Sequence, residues 1–327
     1  MRKLLILLII IAFAAAVYLG FATFVPYGGS QPKDVELRPG DSTPVIAGKL
    51  QQAGAVRSAT AFLLYHYTLG GKRSLKAGEY EFDHPETVGE VHQHIVRGEV
   101  AARIVVVPEG FNMFDIAQAV ENAGIGSRQD FLNEVRTDTR LISDLSPQAT
   151  SLEGYMFPDT YRFSKSSTPR EMAGTMVRRF RQRAQAIGLL QHGAEIPALV
   201  TMASVVEKET AVPEERSLVA GVFYNRLRAH IALATDPSVI YASLLAGTWN
   251  GAIHQSELHS DSTYNTYTHA GLPPGPICNP GVSALQAAMA PATTDYLYFV
   301  ADNRGHHRFA RTLEEHNHNV MLYREGK

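Results

Sequence analysis

The longest hydrophobic run of the chain lies close to its start. Leu4–Val25 is apolar almost throughout, follows Arg2 and Lys3, and precedes a stretch rich in proline and glycine. A helix of this length can cross the hydrocarbon core of a bilayer, which is about 30 Å thick. Since basic residues stay on the cytoplasmic side, the pattern predicts a single-pass anchor with residues 1–3 in the cytoplasm and the later chain outside.

A cleaved signal peptide is the alternative interpretation of this run. The small residues around Ala14 would suit a signal peptidase. However, apolar sequence continues from Val17 to Val25, which is too long for the hydrophobic region of a simple signal peptide. We therefore expect a retained anchor at 4–25, followed by a linker at 26–34.

A second apolar pattern, in the middle of the chain, has helical spacing. Leu199, Met202 and Val206 recur every three or four residues. Pro197 suits the first turn of a helix, and Pro213 lies beyond its end. The pattern predicts a buried helix whose last residues read Glu-Lys-Glu-Thr.

Glu209, the second glutamate of that ending, falls beside Met202 at the margin of the apolar stripe, so its side chain should be half-buried. Burial and the negative end of the helix dipole both favour the neutral form of a carboxyl group. Such a group can act as a general acid. The alternative is a solvated helix end without a catalytic role.

Two stretches in the first third of the chain resemble each other. Arg38–Gly54 aligns with Val107–Gly124, and each predicts a short strand end, a turn and a helix that ends at glycine. Between them, residues 76–82 alternate as a strand does, and residues 88–96 have the spacing of an amphipathic helix. These patterns predict a compact α+β module of small units without catalytic groups.

Aromatic residues are concentrated in Leu152–Phe163, where they alternate with glycine, proline and polar residues. This mixture predicts a structured loop and a short strand. Two interpretations stay open, namely sugar binding by aromatic faces and an aromatic patch packed under a loop.

The basic helix predicted at 168–191 is interpreted as a solvated face, with an acidic polymer or lipid headgroups as the alternative ligand.

The last third of the chain predicts a second helix after Pro213. Asn225 and Arg226 continue its buried stripe with polar groups, so we expect them to join two helices or to face a pocket. The proline and glycine density of Gly271–Gly281 predicts a rigid loop able to wall a cleft. Asp295–Ala301 predicts a buried strand.

The composition excludes some classes of function. The chain of 327 residues has a formal net charge of −2, which excludes a general electrostatic attraction to nucleic acid, and a single cysteine, which excludes an internal disulfide. The histidines lack the spacing of a zinc site, so we expect no metal and no cofactor. His84, His92 and His94 are interpreted as surface residues, and those at 306–318 as polar packing or substrate contacts.

Several motifs, in this order, resemble those of the endolytic murein transglycosylase family (MltG, or YceG-like) of bacterial inner-membrane proteins. They are Leu152–Tyr161, Met202–Thr210, Val219–Leu227, Thr235–Tyr241, Tyr264–Tyr267, Gly271–Ile277 and Tyr296–Ala301. The resemblance covers most of the chain after the anchor. It implies an α+β fold with an N-terminal transmembrane helix, a small LysM-like module in residues 35–145 and a mixed α+β catalytic domain in residues 146–327.

The resemblance also implies an activity. The expected reaction cuts the bond between N-acetylmuramic acid and N-acetylglucosamine in nascent peptidoglycan strands, leaves 1,6-anhydro ends and limits strand elongation. Glu209 is the implied acid, Glu207 is the second choice, and Thr210 is a supporting residue. The residues expected to line the substrate cleft are Glu153, Tyr155, Asp159, Asn225, Asp236, Tyr264 and Asn265. Cell-wall synthases (penicillin-binding proteins) are the implied partners.

One residue departs from the family pattern. The family has Leu-Gln-Thr-Asp-Pro where this chain has Ala234 in place of the glutamine. If that glutamine contacts substrate, the contact is lost here. Two other classes of function are compatible with the same residues: a glycan-binding scaffold that does not need Glu209, and a hydrolase that leaves reducing ends.

Overall fold

The computed structural model describes residues 2–29 and 31–326, and within these ranges the fold is mixed α+β. The α-helices are α1 (Arg2–Phe24), α2 (Thr43–Gln52), α3 (Ala59–Tyr67), α4 (Val88–Arg97), α5 (Met113–Asn122), α6 (Arg128–Thr137), α7 (Pro169–Ala186), α8 (Ile196–Glu209), α9 (Arg216–Arg228), α10 (Asp236–Ala246), α11 (Gln255–Leu258), α12 (Val282–Met289) and α13 (Leu313–Arg324). The strands are β1 (Lys33–Leu37), β2 (Gly78–Phe82), β3 (Arg103–Val106), β4 (Thr160–Phe163), β5 (Tyr298–Ala301) and β6 (His307–Ala310). They form three two-stranded sheets, β1–β2, β3–β4 and β5–β6.

The chain divides into two compact units. The first extends to Arg103 and also includes Arg162–Ser166, and the second consists of Ile104–Tyr161 and the chain from Ser167 onward. In the first unit, β1 pairs antiparallel with β2, and the helices α2, α3 and α4 surround a core that includes Leu50 and Phe62. The LysM-like designation of this region and the domain borders expected from the sequence stay predictions.

The apolar run predicted as an anchor, residues 4–25, forms helix α1 over nearly all of its length. α1 has 23 residues and is apolar and exposed over most of its length. By length and composition it is a candidate membrane span. A second stretch that meets the same criteria, Leu189–Glu209, is more than half buried and includes the core helix α8.

The internal resemblance between Arg38–Gly54 and Val107–Gly124 is confirmed in structure. A strand, β1 or β3, ends directly before each copy, and the copy continues with a turn and a ten-residue helix, α2 or α5. Both helices are followed by a glycine with a left-handed backbone, at φ +74° for Gly54 and +70° for Gly124. Glycine adopts this conformation without strain, which explains why both copies end on it.

Helix α8 is the core element of the second unit. It packs against α9, α10 and α12, and its residues from Leu199 to Val206 are all buried. Gly221 on α9 lies so close to the Ala292 carbonyl that a Cβ atom would come within 2.5 Å of its oxygen. This glycine therefore permits the close approach of the segment that leads into β5.

Gly154 is required by both its backbone and its neighbours. Its φ is +86°, and a Cβ atom there would lie 2.4 Å from Cγ of Pro276. We expect Gly154→Ala to lower the free energy of unfolding by about 2–4 kcal/mol, because left-handed strain adds to overpacking. Chemical denaturation measures the loss, with Gly126→Ala, which has open space around it, as the control. A loss no larger than that of the control would contradict this account.

Two sequence interpretations are wrong. β5 is half-buried rather than buried, because it belongs to a two-stranded sheet that leaves much of its surface open. His92 is not a surface residue: it is 2% exposed, and its Nε2 atom lies 3.0 Å from Nδ1 of His66. Burial lowers the pKa of both rings, so the pair packs in its neutral form.

Candidate functional site

The predicted catalytic helix ends at Glu209. Pro197 lies in the first turn of α8, and Thr210 leaves the helix with an extended backbone while its N–H group still donates to the Val206 carbonyl. The Thr210 hydroxyl accepts a hydrogen bond from the Val212 N–H group at 3.0 Å. Thr210 therefore fixes the direction in which the chain leaves the helix, directly after Glu209.

Glu209 is half-buried, and one of its oxygens has no hydrogen-bond partner within residues 2–29 and 31–326. Its Oε1 atom is buried without a hydrogen-bond donor among the residues that the structure describes. Burial raises the pKa of Glu209 to about 7, and the negative charge of Asp236 adds to the rise, while Arg226 opposes it. The carboxyl group therefore exchanges its proton close to neutral pH.

Arg226 lowers the pKa of Glu209 although its hydrogen bonds go to other groups. The guanidinium group donates to two backbone carbonyls, those of Leu297 and Leu233, each at 2.7 Å, and lies over the Tyr298 ring. Burial lowers the pKa of Arg226. Because these donors are directed to the backbone, Arg226 supplies positive potential near Glu209 rather than a closed ion pair.

Asp236 begins helix α10 and is held in place by hydroxyl groups. Its Oδ1 atom accepts from the Tyr267 hydroxyl at 2.7 Å. The preceding Thr235 donates its N–H group to Oγ1 of Thr266, whose hydroxyl lies 2.8 Å from that of Ser238. These buried contacts fix the backbone directly before Asp236, whose charge adds to the effect of burial on the pKa of Glu209.

Glu207 has a different environment although it lies only two residues away. Its Oε1 atom accepts from Nη2 of Arg216 at 2.6 Å, and its Oε2 atom accepts from the Gly281 N–H group at 2.9 Å. Burial raises the pKa of Glu207, whereas Gly281 and Arg216 oppose the rise. Both oxygens are occupied in joining α8 to α9 and α12, so Glu207 is placed as a structural neighbour of Glu209.

Glu153 is buried at a junction of three elements. It accepts from the Met113 N–H group at 2.8 Å, the Tyr241 hydroxyl at 3.0 Å and the Asn279 amide at 2.7 Å. Burial raises its pKa to about 8. These partners connect α5, α10 and the loop before α12, and they leave its carboxyl group little capacity for a ligand.

Two further predicted cleft residues, Asp159 and Asn225, have protein partners. Asp159 accepts from Nε of Arg179 at 2.6 Å, and this contact and the Thr160 N–H group lower its pKa although burial opposes them. Asn225 donates to the carbonyls of Thr294 and Tyr296, so it joins α9 to the segment before β5 rather than to another helix.

Asn265 is fully buried and organises its own loop. Its amide group donates to the carbonyls of Glu257, Leu258 and Ser260. The Tyr264 ring, next to it, packs against that of Tyr241 at 5.2 Å.

A cavity of about 620 Å³ lies at the other end of α8. Tyr155, Glu153, Thr201 and the prolines of the 274–276 loop are among its lining residues. Thr201 precedes Glu209 by eight residues, or about 12 Å along the helix axis, and Glu209 does not line this cavity. Tyr155 is 1% exposed and packs against Phe180, which favours the packed interpretation of the aromatic segment.

The structure therefore brings Glu209, Asp236 and Arg226 together electrostatically and separates them from Glu153 and Tyr155.

Sequence reasoning missed Arg216 and Asn279. Arg216 contacts Glu207 from a neighbouring helix, and the periodicity within one helix does not indicate contacts with another. Asn279, a polar residue with no exposed surface in an apolar loop, could have been noticed as a buried hydrogen-bonding group.

The comparisons with known proteins agree with one another. The sequence pattern of the YceG-like family matches residues 35–321. A Bacillus subtilis protein named endolytic murein transglycosylase is 31% identical over 311 residues, which cover 90% of this chain and 85% of that protein. A Streptococcus pneumoniae protein of the same name is 28% identical and is covered over 58% of its length. The crystal structure of a YceG-like protein from Listeria monocytogenes has 30% sequence identity and a TM-score of 0.59, over 89% of this chain and 99% of that one.

Proposed function

Because the chain belongs to the YceG-like family, we propose that it is a peptidoglycan lytic transglycosylase in which Glu209 is the catalytic acid. The observation that carries the proposal is a half-buried carboxyl at the end of α8 with a pKa of about 7 and an unpartnered Oε1 atom. A group with these properties is protonated in part at neutral pH, and its Oε1 atom makes no hydrogen bond to the described residues that a substrate would have to displace.

The proposed reaction uses Glu209 twice. Protonated Glu209 donates to the oxygen that links N-acetylmuramic acid to N-acetylglucosamine, and the bond from that oxygen to the muramic C1 atom breaks. The 2-acetamido group of the muramic residue stabilises the developing cation. The C6 hydroxyl then attacks C1 and gives its proton back to Glu209, which closes a 1,6-anhydro ring. No water is consumed, so the reaction is a lyase reaction.

A single carboxylate distinguishes this scheme from that of ordinary retaining glycosidases, which use a second one as nucleophile. Glu207 is occupied by Arg216 and Gly281, and Asp236 accepts from Tyr267. In the proposed mechanism burial and, in addition, the Asp236 charge keep the pKa of Glu209 high, and Glu207 holds the end of the helix in place. Thr210 fixes the exit of the chain.

The pH dependence of activity follows from the acid role. Since the protonated form of Glu209 starts the reaction, kcat/KM should fall as the pH rises above about 7. Asp236→Asn removes a negative charge that raises the pKa of Glu209, so the decline should begin at a lower pH. Release of anhydro-ended fragments from purified glycan, measured across pH 5–9, tests both statements.

The control for this experiment is Asp261→Asn, because the Asp261 side chain is fully exposed and does not affect the pKa of Glu209. Its profile should coincide with that of the unmodified protein. A profile that stays unchanged in Asp236→Asn, or activity that increases above pH 7, would contradict the acid role of Glu209.

We further propose that α1 anchors the enzyme in the inner membrane, with its N-terminus in the cytoplasm and the chain after α1 on the outer side. The support is the length and apolar surface of α1 and the basic pair Arg2 and Lys3 before its apolar run. An enzyme held at this position meets strands that are still being synthesised, so internal cuts would limit strand length. Cell-wall synthases are the partners that we propose for this role.

A further inference from the structure

The outer face of helix α3 is unusually apolar for an exposed surface. The helix reads Ala-Thr-Ala-Phe-Leu-Leu-Tyr-His-Tyr and has no acidic residue, lysine or arginine. Phe62 and His66 face the core, whereas Leu64, Tyr67 and, in the following turn, Leu69 are 48%, 49% and 65% exposed. A helix that is apolar on all sides is normally covered on all sides. The exposed side of α3 therefore needs a covering partner.

The position of α3 identifies that partner. Within the first unit, α3 and α4 pack against α1. The residues of α1 that become buried or half-buried there belong to its last turns, Leu19–Thr23. The 23 residues of α1 are about 34 Å long, close to the thickness of the hydrocarbon core. If α1 spans the bilayer, its packed end lies at the outer lipid interface, and α3 lies beside it.

Comparison with the neighbouring helix supports this assignment. α4 also packs against α1, but its exposed residues are polar and include Glu90, Gln93 and Arg97. Its outer face is therefore suited to water. The turn after α3 instead carries Lys72 and Arg73, both exposed, directly beyond the apolar residues. Tyrosine at the boundary and basic side chains beside it are typical of surfaces that contact lipid headgroups.

We propose that Leu64, Tyr67, Leu69, Lys72 and Arg73, here called the α3 face, bind the outer surface of the bilayer that α1 spans. Tyr67 and Leu69 enter the interfacial layer, and Lys72 and Arg73 contact the phosphates of anionic lipids. The inference rests on the membrane anchoring proposed above. It gives the first unit two attachments to one membrane, a span and a surface, and so limits rotation of this unit about the axis of α1.

Depth-dependent fluorescence quenching tests the proposal in the full-length protein. The chain has one tryptophan, Trp249, which is replaced by phenylalanine so that a single tryptophan can be introduced elsewhere. Three variants are reconstituted into vesicles of phosphatidylethanolamine and phosphatidylglycerol that contain brominated lipid. Leu8→Trp reports on the span, Tyr67→Trp on the α3 face, and Val45→Trp on an equally exposed apolar position of α2, which is 46% exposed.

We expect brominated lipid to quench most of the emission of Leu8→Trp and Tyr67→Trp and to leave Val45→Trp unchanged. Quenching of Leu8→Trp alone overturns the lipid role of the α3 face and leaves the anchor intact. Quenching of neither overturns the anchor as well. Equal quenching of Tyr67→Trp and Val45→Trp indicates general adsorption of the unit and also overturns the proposal.

Charge reversal tests the basic residues separately. Lys72→Glu combined with Arg73→Glu should reduce the quenching of Tyr67→Trp in vesicles with phosphatidylglycerol, and should have no effect on Leu8→Trp. If the emission of Tyr67→Trp instead responds to added glycan strands or to protein concentration, and not to brominated lipid, the α3 face binds glycan or a second copy of the chain, and the proposal is wrong.

Discussion

Replacing Glu209 with glutamine should reduce the release of anhydro-ended fragments by about 10²–10⁴-fold, the range that general acid–base catalysis contributes. Glutamine keeps the shape of the side chain but cannot donate and recover the proton. The measurement is the rate of fragment release from purified glycan at pH 6, where the wild-type carboxyl group is mostly protonated. The matched control is Glu214→Gln, an exposed residue just beyond the helix, which should keep full activity.

The same variant has a second, structural readout. The pKa of Glu209 is about 7 in the folded protein and 4.5 in an unperturbed glutamate. The folded state therefore binds a proton more tightly, and the stability from this group is lost as the pH rises from about 4.5 through about 7. Glu209→Gln should lack that loss, so at pH 8 it should unfold at a temperature no lower than wild type. A folded, stable and fully active Glu209→Gln protein would show that another group is the acid.

Arg216→Met should have the largest effect on stability. Arg216 is 6% exposed and pairs with Glu207 at 2.6 Å, with Oε2 of Glu109 3.6 Å from its Nη1 atom. Removing one partner of a buried pair leaves the other without compensation, so we expect a loss of about 3–5 kcal/mol in the free energy of unfolding. Urea denaturation in detergent measures it, with the exposed Arg178→Met as a control whose change should stay within about 0.5 kcal/mol.

The pH dependence of the stability loss in Arg216→Met provides a second test of the ion pair. Without Arg216, the pKa of Glu207 rises because burial is no longer opposed by the guanidinium group. The variant should therefore lose more stability at pH 8 than at pH 5. The double variant Glu207→Met, Arg216→Met removes both charges and should recover part of the loss. Equal losses at both pH values, without recovery in the double variant, would show that the ion pair is not the cause.

The helix that carries Glu209 could be predicted because its constraints are local. Pro197 and Pro213 bracket it, and the apolar period between them indicates which face is buried. The same period places Glu209 at the margin of that face, where the structure finds it half-buried with a raised pKa. The glycine ends of α2 and α5 are predictable for the same reason, since a helix end depends on a few adjacent residues.

What the sequence could not indicate depends on contacts between distant segments. Asn225 was expected to join helices or face a pocket, but its donors reach the carbonyls of Thr294 and Tyr296, about seventy positions away. Glu153 was expected in the cleft, yet three partners from separate elements occupy its carboxyl group. No periodicity records such pairings, because they are set by how the elements pack.

Ala234, which stands where the resembled family pattern has glutamine, contributes to the structure through its backbone. Its backbone is left-handed, with φ +49°, and its N–H group donates to the Thr266 carbonyl at 3.0 Å. The backbone of this position thus belongs to the network that holds the start of α10. The position of Asp236 therefore rests on backbone and hydroxyl contacts that do not require a glutamine side chain at 234.

The central claim is that Glu209 is the acid in a cleavage that consumes no water. Digestion of purified glycan strands in water labelled with ¹⁸O tests this claim most directly. Mass spectrometry should show fragments with 1,6-anhydro ends, each one water lighter than a hydrolysis product and free of ¹⁸O, and these fragments should be lost in Glu209→Gln. Reducing ends that carry ¹⁸O, or anhydro fragments released by Glu209→Gln at the wild-type rate, would contradict the proposed enzyme.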